Sequence, residues 1–274
     1  MTTDSQLLDK AWALREEAKF LDAYDFFMLA ANQTDNLLER ASILLHATTT
    51  LTQSGQQSRS RNQLKQIREL LETVDLSQLS KHKQDEHIHV LVGLEIEEAE
   101  ILVTEHKIEN AIEHLVATLA RFKNEIQKPS RIDIYDEIQT RRAYFLSDLG
   151  QFEKATPILE EVSSRRSDDT IFLFYLGHCY FRAKRLDLAQ QNLERAIFLG
   201  PRPGIAFQTH GTLGMVFYET GEYTSAKQQL EICAKLAPSA FIRQAQIWKW
   251  LEYTCKQLGL TEEARHWSQL IRPS

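Results

Sequence analysis

One small residue keeps returning along the second half of this chain, and the interval at which it returns restricts the fold more than any other feature. Alanine stands at 155, 189, 226 and 264, at spacings of 34, 37 and 38 residues, each time inside a segment with helical apolar periodicity. A period of this length marks a stack of supersecondary units, each too small to bury its own apolar face alone. Around each alanine the same company repeats. Gly150, Gly221 and Gly259 precede Ala155, Ala226 and Ala264 by five residues in every case. A glycine there suits the left-handed residue that ends one helix before the next begins. Pro201 and Pro238 fall where a second helix should stop, and Pro157 is expected near the first turn of its helix, where a missing donor is tolerated.

The clearest copy runs from Ile171 to Pro201: Leu173, Leu176-Gly177, Tyr180, Ala189, Leu193, Ala196 and Pro201. It resembles the tetratricopeptide pattern W-x2-L-G-x2-Y…A-x3-F…P, with leucine in place of the first tryptophan and of the later aromatic. Leu213-Gly214, Phe217, Gly221, Ala226, Leu230, Cys233 and Pro238 make a second copy, and a third opens on Trp248 and Leu251 before Gly259 and Ala264. Ala143, Leu146, Gly150, Ala155, Leu159 and Val162 fit upstream. The resemblance covers residues 136–271 clearly and residues 4–33 and 92–122 more weakly, with His106 in place of a turn glycine. Residues 36–75 read as two helices split by the polar stretch 53–58. What the resemblance implies is an all-α, right-handed superhelical solenoid of about seven antiparallel helical hairpins. Two stretches are expected, an acidic one of diverged hairpins over 1–128 and one of regular repeats over 129–274, meeting at an irregular joint near 127–131.

Charge follows the same division. Residues 1–137 hold 15 basic against 24 acidic side chains, and residues 138–274 hold 17 against 14, within a net charge of -6. Without clustered positive charge, nucleic acid is not the expected partner. No run approaches the roughly 18 apolar residues that span a bilayer, and no basic segment followed by an apolar run opens the chain, so a cytoplasmic protein without membrane insertion is expected. Cys179, Cys233 and Cys255 show no CxxC spacing and read as core residues.

Catalytic motifs are missing from the sequence. There is no G-x-S-x-G, no GxGxxG and no phosphate loop. His82, His87 and His89 cannot share one helix face, and the acidic run Glu95, Glu97, Glu98, Glu100 lacks the Glu-x-x-His partner of a di-metal bundle. No enzyme activity, no catalytic residue, no metal and no cofactor is therefore expected.

Binding is the remaining class. In the tetratricopeptide family the first helix of each hairpin lines a concave groove, and the resemblance places Arg141, Tyr144, Phe174, Tyr175, His178, Phe181, Arg182, Met215, Tyr218, Lys249, Trp250 and Tyr253 there. Aromatics beside arginine have the composition of an interface hot spot. Glu97 and Glu100 fall on groove positions of an earlier hairpin, which predicts an acidic groove suited to a basic ligand stretch. The family's clamp for chaperone carboxylates needs Lys, Asn and Arg where this chain has Phe174, His178, Thr212, Gln246 and Trp250, so that role is disfavoured. The resemblance thus implies a scaffold or adaptor gripping a segment of another protein. The alternatives are a peptide- or ligand-responsive regulator that changes curvature, and an enzyme subunit active only in complex.

Overall fold

The computed structural model describes residues 3–17, 19–128, 131–201, 203–236 and 244–271. Its helices follow one another in pairs: α1 (Thr3–Glu16) and α2 (Phe20–Gln33), α3 (Leu37–Gln53) and α4 (Gln57–Glu72), α5 (Lys81–Thr104) and α6 (Ile108–Arg121). A short α7 (Lys123–Ile126) precedes α8 (Ile132–Asp148) and α9 (Phe152–Arg165), α10 (Thr170–Arg182) and α11 (Leu186–Phe198), α12 (Pro203–Glu219) and α13 (Tyr223–Leu236), α14 (Gln244–Gln257) and α15 (Thr261–Ile271). No strand occurs among the described residues. The fold class is an all-α solenoid of helical hairpins, with seven pairs among the described residues.

Six of the seven pairs reverse the chain through the same closure. The second residue after the first helix is left-handed at Gly55, Gly150, Gly221 and Gly259, with φ between 73° and 84°, and also at His106 and Lys184, both at 61°. The next N–H then donates back to a carbonyl five residues earlier, as from Gln56 to Leu51, Lys107 to Leu102, Arg185 to Tyr180 and Glu222 to Phe217, at 2.8–2.9 Å. These bonds satisfy the carbonyls that a helix end leaves over. His106 and Lys184 thus occupy the glycine position of their turns, although a side chain there carries a steric cost.

Pro157 departs from expectation. It is the sixth residue of α9, inside the helix, where it removes the bond that would reach the Glu153 carbonyl. Pro157 is exposed. Pro129 and Pro238 lie outside the described residues.

The chain divides into two compact units, Met1–Phe145 and Leu146–Ser274. In the first, Ala11, Phe27, Ala31, Leu44, Leu64, Ile67 and Leu94 form one core, and Val92, Ala99, Ala111, Leu115, Ile138 and Phe145 form another. In the second, Leu173, Ala189, Leu193, Val216, Ala226, Leu230, Leu251 and Ala264 are buried. Helix pairs cross closely where small residues meet large ones. A β-carbon added at Gly177 would lie 2.7 Å from Leu193 Cγ and 3.3 Å from the Ala189 carbonyl, and one at Gly214 would lie 2.7 Å from Leu230 Cγ. That is the job the repeat assigns to glycine and alanine.

Two mutational outcomes follow. Gly177→Val and Ala189→Leu are expected to cost about 1–3 kcal/mol by overpacking, whereas Glu194→Leu on the exposed side of α11 is expected to be nearly neutral, measured by denaturant unfolding. Exposed His106 exchanged for glycine is expected to raise stability by up to about 1 kcal/mol, because the left-handed strain is relieved.

Candidate partner-binding surfaces

In the second unit the expected groove residues separate into two groups. Phe174 is 4% exposed and Phe181 9%, which corrects the expectation that they face a partner: both sit in the packed interior of α10, Phe174 against Tyr175 and His178 with ring centroids 5.3 and 6.0 Å apart. Tyr175, His178 and Met215 are half-buried. The other group stays reachable. Tyr218 on α12 meets Trp250 on α14 edge to face at 5.1 Å and Tyr223 at 5.5 Å. Trp250 also packs against the core of Phe207, Leu230, Ile247 and Leu251. Tyr253 is 38% exposed, with the Lys249 ammonium 5.8 Å and the Lys256 ammonium 5.9 Å from its ring centre. Arg182 pairs with Asp148 at 3.6 Å and lies over the Phe152 ring. What results is an apolar, ring-lined surface with cations at its edge, a combination suited to an apolar segment carrying a carboxylate.

The first unit holds the other expected residues. Tyr144 is half-buried beside Phe145, and Arg141 forms an ion pair with Glu100. Glu97 is only 5% exposed, so the expected acidic groove is corrected: one of its carboxylates is inside and the other is matched to arginine. The Thr-rich sequence of α3 explains how Glu97 is accommodated. Thr48, Thr49, Thr50 and Thr52 all turn their hydroxyls back onto carbonyls of their own helix, and the Thr49 hydroxyl also donates to Glu97 Oε2 at 2.8 Å. Glu97 Oε1 makes no hydrogen bond of good geometry, and burial pushes the carboxyl above the usual range, outweighing the Thr52 and Thr49 hydroxyls beside it.

Sequence reasoning missed a second group of side chains in this unit. Trp12 on α1, 38% exposed, lies 4.8 Å from the His46 ring and 5.2 Å from Phe27. Arg15, one turn later, holds its guanidinium 5.3 Å from the Trp12 ring centre and donates to Gln53. Burial, assisted by the Arg15 charge, pushes the His46 imidazole down to about 4. Trp12 and His46 line a cleft of about 580 Å³ with Leu8, Leu38, Ile43 and Val90. The available signal was Leu8, Trp12 and Arg15 at i, i+4 and i+7, a single face of the first helix.

The histidines at 82, 87 and 89 are not brought together. His82 pairs with Glu86 and His89 with Asp133, while His87 is buried. Among the described residues no group of three His, Cys, Asp or Glu side chains is placed to hold a metal. Glu95 instead collects Arg68, His114 and Arg121. No helix among the described residues is long and apolar enough to cross a membrane.

No protein-family model matches this sequence, and no curated protein matches it. Solved structures do. A chain of the APC/C hetero-tetramer Cut9-Hcn1 aligns over 95% of this chain and 44% of its own, with a TM-score of 0.67 at 15% identity. Crystallised TPR-like repeats of a putative kinesin light chain from Podosopora anserina align over 65% of this chain and 91% of theirs, with a TM-score of 0.52 at 17% identity. The fold is that of the tetratricopeptide repeats. PilF of Pseudomonas aeruginosa is similar over 84% of this chain and 90% of its own, with a TM-score of 0.56 at 14% identity. Within the tetratricopeptide architecture, α10, α12 and α14 are the first helices of their pairs, and these carry Tyr175, Tyr218 and Trp250.

The buried imidazole gives a test of the first unit. A base whose folded pKa is depressed contributes stability that is present above its ordinary value and lost as pH falls toward the folded one. For His46 that window runs from 6.5 down to about 4, and the loss is expected to reach about 3 kcal/mol at most. The stability advantage of the wild type over His46→Gln, read by hydrogen exchange at α1–α3 amides, should shrink across this window. A difference independent of pH would show that His46 is not held neutral by burial.

Proposed function

We propose that this protein is a non-catalytic scaffold or adaptor, cytoplasmic, that holds a segment of a partner protein on the first-helix faces of its hairpins. The observation that carries the reading is the second unit's cluster of Tyr218, Trp250 and Tyr253, open to solvent in part and flanked by Lys249 and Lys256. Solvated helix faces are ordinarily covered by Glu, Lys and Gln. Rings held edge to face by their own neighbours are preorganised, so a partner loses little side-chain entropy in meeting them. The tetratricopeptide-like fold supports a protein as partner, since such hairpins present long continuous faces in place of an enclosed pocket. Lys256 is paired with Glu252 at 2.6 Å, so it is the Lys249 ammonium that favours a segment setting an acidic residue beside an apolar one; nucleic acid is disfavoured, since most described arginines of this unit already face carboxylates.

The test is calorimetric titration with a partner segment identified by affinity purification. Tyr253→Ala and Lys249→Glu, both at exposed positions, are expected to weaken binding about tenfold or more while leaving the thermal midpoint unchanged. Full affinity in both variants would remove this surface from the function.

A further inference from the structure

The seam between α3 and α5 in the first unit holds a carboxyl group that belongs to none of the surfaces described above. Glu97 is 5% exposed, and the side chains beside its carboxyl are the hydroxyls of Thr49 and Thr52 on α3. The guanidiniums whose charge reaches it are engaged elsewhere: Arg15 of α1 donates to Gln53 and lies over the Trp12 ring, and Arg141 of α8 pairs with Glu100. Glu100, on the same helix as Glu97, sets a second negative charge nearby. His46, one turn before Thr49, is kept uncharged by burial. An ionised carboxylate without an ion pair is costly to hold inside, and it takes up a proton or draws in water.

The hydrogen bonds point the same way. A threonine hydroxyl has one proton to give and lone pairs with which to accept. Thr49 Oγ1 stands 3.2 Å from the Leu45 carbonyl and 2.8 Å from Glu97 Oε2. As a carboxylate, Glu97 competes with that carbonyl for a single proton. As a carboxylic acid it brings its own: its O–H donates to Thr49 Oγ1, and the threonine proton stays on Leu45. Thr52 cannot make up the difference, because its one proton is already shared between the Thr48 carbonyl at 3.3 Å and the Ser60 hydroxyl at 3.1 Å. We propose that this seam is a proton-linked latch, held closed by the protonated Glu97 side chain and loosened when that carboxyl ionises. α3 and α5 also supply Ile43, His46 and Val90 to the cleft beside Trp12, so the proton sets how firmly two walls of that cleft are held. The closed seam keeps the proton beyond the pH at which an unfolded glutamate gives it up. Its closing contribution is therefore complete below the ordinary glutamate range and is lost as pH rises through the folded value.

The experiment compares the full wild-type chain with Glu97→Gln, which keeps the shape of the side chain and removes its titration. Hydrogen exchange is read at α3 and α5 amides from about pH 5 to about pH 8. Comparing the two proteins at each pH removes the intrinsic pH dependence of exchange and any contribution of His46, which both retain. The wild type is expected to lose protection relative to the variant as pH rises, by about tenfold for each unit up to the folded value. A ratio that does not change with pH, or wild-type protection that grows relative to the variant, would overturn the latch. If Glu97→Gln fails to fold, the wild type labelled with carbon-13 in its glutamate carboxyls decides. A Glu97 carboxyl that keeps its proton above the ordinary glutamate range supports the latch, and one that titrates within that range overturns it.

Discussion

Everything in this molecule depends on a chain reversal that gives the end of each first helix a hydrogen bond back from the turn. A helix of four turns cannot bury its apolar stripe by itself, so its successor must fold back within a few residues and at close range. The left-handed residue at the reversal does this by aiming the next N–H onto a carbonyl five residues earlier. Once the two helices run antiparallel, their separation is set by the smallest side chains between them. Gly177 against Leu193 and Gly214 against Leu230 leave no room for one more carbon. Turn and crossing are therefore one constraint, because the turn sets the register that brings the glycine opposite the leucine.

That constraint assigns the remaining side chains. With one stripe of each first helix used for crossing its partner, the opposite stripe must meet neighbouring hairpins or solvent. In the second unit rings fill this stripe, and their depth varies within a single helix: Phe174 is interior, Tyr175 partly open. In the first unit the stripe is polar at Glu97 and Glu100, and there it cancels itself. Glu100 meets Arg141, and Glu97 is held by Thr49 near Arg15. An excess of acidic residues in the sequence thus does not become an acidic surface at these positions.

Much of the fold was legible because the turn and crossing residues are the ones that sequence displays. Gly150, Gly221 and Gly259 announce their reversals, and the alanines at 155, 189, 226 and 264 announce the crossings. The earlier hairpins were harder to see for a physical reason. At 106 histidine does the work of glycine, so the chemical marker is missing while the conformation persists; lysine does the same at 184, where the surrounding repeat is clear enough to compensate. Between 36 and 75 the reversal at Gly55 was visible, but α3 buries threonines that bond to their own backbone, and these do not read as an apolar stripe.

Site residues were less legible than the fold. A repeat position tells which way a side chain leaves its helix; it does not tell how far the neighbouring hairpin encroaches. Phe174 and Tyr175 are adjacent in sequence and both were expected in the groove, yet packing against His178 leaves only the tyrosine partly open. Glu97 leaves α5 toward Thr49 of a different helix, and nothing in the spacing of carboxylates predicts that hydroxyl. Trp12 went unnoticed because repeat matching weighs the buried residues that hold the hairpin, such as Ala11, Ala23, Phe27 and Ala30, and is silent about the partly exposed indole beside them. In a solenoid the positions that define the repeat are used up by the fold, so the specificity of each surface must reside in residues that the repeat does not mark.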